Sequence, residues 1–516
     1  MKAILPVLDK SSNRPLYLQL YDYLKEAILS GSIAEGERLP SLRGLAHTTG
    51  LSLTTVEKAY SQLLVEGYIH SRAQSGFYAD RVSGCREQPA DGKGSPAAGD
   101  DGRMAGPRVI PGSSVPFENT LSDQKLFDSS AGSAETHPPM RCDPDCFDFN
   151  KWKKCMNRIL NDYSSALFFE GSPQGEISLR EEIARHLYQS RGFSCRPDQI
   201  FIGAGTQQIT GLLATILRDL DIGHVALESP GYTPVRNTFR DRGFAITDVA
   251  VNEDGLSLEK LPVNIRAAAY VTPSNHAFTG SVMPIGRRYE LLAWAEENNS
   301  YIIEDDYDSE LRYFGRPIPP IRSLEGDERV IYLGSFSSTL FAAVRISYMV
   351  LPAPIARTFA RQLAGYSPTC SKLEQLTLAM FMETGLYQTH IRKLRKLYAQ
   401  KLTLVLDILR REASDFVGVR STSSGIGLLL QIRAPKEPTP DKRTADGAQG
   451  ERTPVNAPIE RDADGAPAGL RKYIADAESL GIRAVPSHDL ILLYYNPIPL
   501  SDISGLFRRL IRLWRS

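Results

Sequence analysis

Seven short apolar runs, rich in β-branched and aromatic residues, constrain most of this chain. They are QIFIGAG (199–205), HVALESPGY (224–232), FAITDVAV (244–251), AAAYVTP (267–273), YIIEDDYD (301–308), VIYLGSFS (330–337) and RISYMVLP (345–352). Helical stretches such as QQITGLLATILRDL and RRYELLAWAEENN lie between several of them. Continuous apolar strands alternating with helices predict a parallel sheet covered on both faces. Ligands on such sheets sit at the carboxyl ends of the strands. Polar residues gather there in this sequence: Gly205, Thr206 and Gln207, then Tyr232, Asn275, Asp305, Asp306 and Tyr307, then Ser335 to Ser338.

The chain is long enough, at 516 residues, for two to four domains of roughly 100–200 residues each. Lysine plus arginine equals aspartate plus glutamate at 60 each, so net charge alone argues for neither nucleic acid nor membrane. The apolar run at the N-terminus is too short for a signal peptide, and nothing approaches the ~20 apolar residues of a membrane span. Six cysteines (Cys85, Cys142, Cys146, Cys155, Cys195 and Cys370) do not make a disulfide framework. The pair in CDPDC has the wrong spacing for a zinc site, so no metal is expected. The expected compartment is the cytoplasm.

Residues 81–116 are rich in Gly, Pro, Ser and charge, which reads as a disordered linker. Residues 433–468 have the same character inside a domain and read as a disordered surface insertion. The expected layout is therefore a small domain over 1–80, the linker, and a large domain over 117–516.

In the small domain, Leu20, Leu24, Ala27 and Ile28 recur at helical spacing before Gly31. A second helix starts after Pro40 with Ser41 as cap and stops at Gly50; a third starts at Ser52, with Val56, Ala59, Tyr60, Leu63 and Leu64 on one face. The segment 68–79 alternates as a short hairpin would. Helix, short turn with glycine, helix is the helix-turn-helix plan, and the hairpin would be its wing.

The pieces LPSLRGLA, TVEKAYSQLLVEG and Arg72 to Gly76 resemble the GntR family of bacterial winged helix-turn-helix regulators. That resemblance implies a double-stranded DNA operator as partner. Ser52, Thr54 and Thr55 should face the major groove, with Arg43, Lys58, Arg72 and Gln74 reaching phosphates or base edges. Two departures stand out. The family usually has an arginine at the position of Leu53, and residues 1–80 carry four Lys and four Arg against three Asp and five Glu. A site with few phosphate neutralisers binds modestly, with a shallow salt slope, so a dimer is needed to double the contacts.

The large domain resembles the fold-type I aminotransferases, and in particular the effector domain of MocR-type regulators, through GSPQGEISLREEIARHL, GAGTQQI, ESPGY, VTPS…TG, IIEDDYDSELRYFGRPIP and YLGSFSSTLF…R. The resemblance implies a pyridoxal phosphate site. Gly205 and Thr206 would offer backbone amides to the phosphate, and Ser335, Ser337 and Arg345 would add hydroxyls and charge. Tyr232 would stack on the ring. Asp305, or Asp306 in its place, would pair with the pyridinium nitrogen, and Tyr307 would bond the ring oxygen. Asn275 and Ser338 complete the candidate set.

The position of Ser338 is the Schiff-base lysine in the enzymes. A serine forms no stable imine and is a poor base at neutral pH, and no lysine occurs between Lys260 and Lys372. Phe278 replaces the proline usual before Thr279-Gly280, and Ala277 the usual aromatic. No arginine occurs between Arg483 and Arg508, where the substrate-carboxylate arginine is sought. The resulting expectation is a cytoplasmic bacterial regulator, not an enzyme. Its degenerate aminotransferase-like domain dimerises and senses a small molecule, a vitamer or amino compound, with any pyridoxal phosphate held without a Schiff base. Two rivals stay open on sequence alone: a working aminotransferase with a DNA-binding appendage, and a dimeric regulator that binds no small molecule.

Overall fold

The computed structural model describes residues 8, 14–72, 75–80, 143, 146–252, 255–313, 318–324, 328–421, 427–433, 468–487 and 489–516. Gln74, the linker at 81–116 and residues 434–467 of the expected insertion lie outside the described residues.

The first three helices are α1 (Leu16–Leu29), α2 (Leu42–Thr49) and α3 (Leu53–Glu66). Their ends are set by local chemistry. The Ser41 hydroxyl accepts from the Gly44 amide, and the Ser52 hydroxyl from the Thr55 amide, satisfying amides that a helix start leaves without partners. Gly50 and Gly67 close α2 and α3 in the left-handed conformation. Strands β1 (Ile69–Arg72) and β2 (Gly76–Ala79) pair antiparallel from Ile69 opposite Ala79 to Arg72 opposite Gly76, forming the wing. Leu20, Leu24, Leu45, Val56, Ala59, Tyr60 and Leu63 fill the centre.

The large domain opens with α4 (Phe149–Asp162) and α5 (Ile177–Arg191). Then follow β3 (Ile200–Gly203), α6 (Thr206–Asp219), β4 (His224–Ser229), α7 (Thr233–Asp241), β5 (Ala245–Asn252), β6 (Gly255–Leu256), β7 (Ala268–Val271), α8 (Ile285–Glu297), β8 (Tyr301–Asp305), β9 (Val330–Ser335) and β10 (Ser347–Val350). These strands form one sheet in the order β3-β10-β9-β8-β7-β4-β5-β6. Five of them, β9-β8-β7-β4-β5, run parallel. The expectation of a parallel sheet is corrected at β10, which runs antiparallel to both β3 and β9. Only eleven residues separate β9 from β10. That is too short for the helical crossover a parallel pair requires, so the chain turns straight back.

Both faces are buried. Tyr301 and Ile303 of β8 point to a cluster with Leu213, Leu217, Phe239 and Phe359, while Ile302 points to one with Leu291 and Trp294 of α8. The chain continues through α9 (Ala353–Leu363), α10 (Lys372–Glu383) and the long α11 (Leu386–Glu412). A second layer closes the domain: β11 (Val417–Ser421), β12 (Leu428–Ile432), α12 (Arg471–Ser479), β13 (Ala484–Ser487), β14 (Leu490–Leu493) and α13 (Ile503–Arg515). Its strands form an antiparallel sheet, β11-β12-β14-β13. Among the described residues, no helix is long and apolar enough to cross a membrane.

Candidate ligand site and DNA-facing surface

The strand ends bring together side chains that lie far apart in sequence. At the end of β3, the chain leads through Gly205 into α6. Gly205 has φ +87° and ψ 166°, a conformation open to glycine and strained for other residues. A Cβ there would collide with the Arg345 guanidinium, so the arginine lies directly against the first turn of α6. Arg345 itself is exposed and left-handed, with φ +48°. A cation beside the free amides of a helix start is a place for an anion. Thr206 is the first residue of that helix.

Ser335 and Ser337 sit on the turn after β9. The Ser335 oxygen accepts from the Ser347 hydroxyl at 3.0 Å and from the Ser337 amide at 3.3 Å. Ser338 is buried, and its hydroxyl donates to the Tyr307 carbonyl at 2.7 Å.

At the end of β8, the period of a β-strand decides between the neighbouring aspartates. Asp305 continues the Tyr301–Ile303 face of β8 and accepts from the Tyr270 hydroxyl. Asp306 turns to the other side, where Arg191 lies 2.5 Å away and the Tyr332 hydroxyl donates at 2.6 Å. Asp306 is a structural ion-pair partner in the interior. Burial pushes the Asp305 carboxyl up to about 7, Asp306 and Glu228 add to the rise, and the bond from Tyr270 opposes it. Tyr232 is 45% exposed. Its hydroxyl is raised by burial and by the Asp305 charge, against a lowering by Arg345.

The Tyr307 hydroxyl donates to the Asn275 carbonyl at 3.2 Å, and the Asn275 amide donates to Asp308 at 2.7 Å. Asn275 therefore serves the loop as a brace. Burial pushes Asp308 up to about 8, against the Asn275 bond.

The sequence does not single out Tyr270 or Arg191. Tyr270 and Arg191 reach Asp305 and Asp306 across strand or helix pairings, and only the inward parity of Tyr270 in β7 hinted at its role. Among the described residues, no cluster of His, Cys, Asp or Glu could hold a metal ion.

On the DNA-binding module, Arg43, Thr54, Lys58 and Arg72 are exposed and Thr55 is half-buried. The Ser52 hydroxyl is taken up by the α3 cap and also lies 2.9 Å from the Thr54 and 2.7 Å from the Thr55 hydroxyl oxygens. Arg72 donates to His70 at 3.1 Å and lies over the Tyr78 ring. Leu53, the first residue of α3, is 43% exposed.

Residues 16–79 match the model of the bacterial regulatory proteins of the gntR family, and residues 143–444 match aminotransferase class I and II. Solved aminotransferases share the large domain's fold. A kynurenine aminotransferase of Pyrococcus horikoshii covers 77% of this chain and 95% of its own with a TM-score of 0.57 at 21% identity. A winged DNA-binding head on an aminotransferase-like body defines the class: a DNA-binding transcriptional regulator. This chain belongs to the MocR-type branch of the gntR family. It is 38% identical to the HTH-type transcriptional regulator YdeL of Bacillus subtilis over 84% of this chain and 87% of that one. It is 32% identical to the probable rhizopine catabolism regulatory protein MocR of Rhizobium meliloti, over 86% of each chain. To the pyridoxine biosynthesis regulator PdxR of Corynebacterium glutamicum it is also 32% identical, over 79% of this chain and 82% of that one.

Proposed function

We propose that this regulator senses a phosphorylated pyridine, pyridoxal 5′-phosphate or a close vitamer, by reversible binding at the strand ends, and that it does not transaminate. One observation carries the reading: the Arg345 guanidinium lies against Gly205 at the start of α6, and Ser338, which the resemblance puts at the lysine position, turns its hydroxyl onto the Tyr307 carbonyl. The residues fit the group at two of its three anchors. Gly205, Thr206, Ser335, Ser337 and Arg345 would receive the phosphate. Asp305, buried beside Tyr270, would pair with the ring nitrogen; Tyr232 would cover the ring and Tyr307 bond its oxygen. The third anchor, an amine, is absent. When bound, pyridoxal phosphate supplies an aldehyde and an electron-accepting ring. Ser338 offers that aldehyde neither a stable covalent partner nor a base for the proton transfer of transamination.

Arg43, Ser52, Thr54, Thr55, Lys58, Arg72 and Gln74 form the proposed DNA contact, with α3 in the major groove. The bases are reached by the N-terminal turn of α3, and Lys58 and Arg72 address the backbone. The large domain is proposed to dimerise in the cytoplasm, so that two modules meet one operator. Phe168 and Phe169 are 88% and 71% exposed and Tyr366 is 67% exposed, apolar surface of the kind that a second copy covers.

The deciding measurement pairs a thermal shift with dialysis. Pyridoxal 5′-phosphate should raise the melting temperature of the full chain, since it binds the folded state. Dialysis should return the temperature to its starting value, and borohydride should fix nothing at residue 338. No shift at millimolar ligand would leave a regulator whose large domain serves only to dimerise. A covalent, borohydride-trapped product at this site would restore the enzyme reading.

A further inference from the structure

The outer face of the wing carries a chain of side-chain contacts that ends on an exposed guanidinium. His70 stands opposite Tyr78 and Arg72 opposite Gly76, so these positions share one face of the hairpin. The Arg72 Nε–H donates to the His70 Nε2 at 3.1 Å, and the His70 Nδ1 lies 2.6 Å from an Asp80 carboxylate oxygen. Arginine has donors only. Nε2 is therefore the acceptor nitrogen, and the ring proton of the neutral imidazole sits on Nδ1, where it is donated to Asp80. The Arg72 guanidinium carbon stands 4.6 Å from the centre of the Tyr78 ring, which also stacks on His70 with centroids 5.8 Å apart. The His70 and Asp80 side chains are 38% and 34% exposed, too open for their pair to contribute much to folding. What the pair does achieve is to fix a long side chain that is otherwise free to sample many rotamers. With Nε engaged by His70, the two terminal nitrogens of Arg72 are the pair suited to meet a phosphate.

A second guanidinium approaches the same place. Arg38 makes an antiparallel bridge to Tyr78, and the neighbouring Leu39 amide donates to the Phe77 carbonyl at 2.8 Å. Its side chain lies across β2: a Cβ on Gly76 would stand 3.3 Å from the Arg38 Nε. Gly76, directly across from Arg72, thus has no side chain to stand between the two arginines. Both arginines are exposed.

We propose that the wing grips the DNA backbone with two guanidinium groups, Arg38 and Arg72, and that Asp80 and His70 are positioning residues that aim Arg72. Arg38, His70 and Asp80 extend the contact set proposed above, on the shared premise that this module binds DNA but independently of which helix reads the bases. Asp80 acts through the tautomer. Without it nothing holds the proton on Nδ1, and a protonated Nε2 turns a donor towards the donor of Arg72. The consequence has an unusual sign. Removing a carboxylate beside a polyanion ordinarily strengthens binding, whereas here it should weaken it.

The test is binding of the full chain to a fluorescein-labelled duplex of random sequence, read by anisotropy over a salt series, because phosphate contacts carry no sequence information. Arg38→Ala and Arg72→Ala should each weaken binding by about threefold to tenfold and reduce the salt slope by about one. Asp80→Ala should weaken it by about twofold to fivefold, a part of the Arg72 contribution. In an Arg72→Ala background the same change should weaken nothing. Asp80→Asn keeps an oxygen for the Nδ1 proton and should bind like the wild type. His70→Ala should repeat the pattern of Asp80→Ala, which covers the case in which Asp80→Ala disturbs the wing; a wing that merely unfolded would lose affinity in the Arg72→Ala background as well. Tighter binding by Asp80→Ala, or equal losses in both backgrounds, would overturn the positioning role. An unchanged salt slope in Arg38→Ala would remove the second guanidinium, and a wild type that ignores the random duplex at low salt would remove both. Since α3 is tested on an operator and the wing on random DNA, failure of the helix assignment and failure of the wing are separate results.

Discussion

The DNA-binding module and the strand-end cluster solve opposite problems with similar residues. On the module, Arg43, Thr54 and Lys58 stand exposed, and even the Thr54 hydroxyl, which lies 2.9 Å from that of Ser52, remains at the surface. At the strand ends, Asn275, Asp305, Ser335 and Ser338 already bond one another or their neighbours. A surface that awaits a large partner keeps its donors in water, where they cost little. A buried site must satisfy its polar groups within itself, because an unmet buried donor or acceptor costs about 1–3 kcal/mol. A small ligand therefore competes with an existing network, whereas DNA displaces water and counterions.

The largest expected effect tests the proposed replacement of a Schiff-base lysine by Ser338. Ser338→Lys with excess pyridoxal 5′-phosphate should give a visible absorbance that borohydride abolishes, where the wild type shows none. A colourless variant would mean that the Ser338–Tyr307 contact reflects a pocket rebuilt beyond the lysine. Next in size is Gly67→Ala, which meets both a left-handed backbone and Pro284. It should cost about 2–4 kcal/mol, seen as a lower denaturation midpoint, with the module loosened first.

The exposed surface should respond more mildly. Arg43→Ala or Thr54→Ala should weaken operator binding by about 1–3 kcal/mol if each meets a base edge, measured by fluorescence anisotropy. Lys58→Ala should weaken all sequences alike and reduce the salt slope by about one. Leu53→Arg should shift the preferred base at one position from thymine, whose methyl suits an apolar side chain, towards guanine. A selection from random DNA reads that change. If operator affinity survives the three alanine changes, α3 is not the reading helix.

The smallest effect concerns pH. The folded Asp305 carboxyl is raised from the ordinary 3.8 to about 7, so the folded state holds this proton more tightly than the unfolded one. Its stabilising contribution is fully present below about 4 and is lost as pH rises through about 7. Asp305→Asn should therefore flatten the dependence of melting temperature on pH across that window.

Much of this was legible in the chain. Ser41, Ser52 and Gly50 punctuate the module through contacts within a few residues, so these helix ends could be read directly, whereas the Gly67 stop is seen in the structure. The strands of the large domain were legible because burial on both faces leaves continuous apolar runs. The chain order of Gly205, Tyr232, Asp305, Tyr307, Ser338 and Arg345 pointed to the candidate site through a resemblance. The direction of β10 was not legible, since hydrophobic runs carry no sign of strand polarity.

By itself, the sequence determined where helices begin and end, which segments are strands, and that residue 338 is a hydroxyl. Those outcomes rest on bonds and preferences spanning a few residues. Only the tertiary structure decided that Asp305 meets Tyr270 while Asp306 meets Arg191, that Arg345 leans on Gly205, and that Glu66 is buried beside α8. Each depends on register and packing between segments up to about 220 residues apart. Contacts of that kind follow from how whole surfaces fit, which no local pattern encodes.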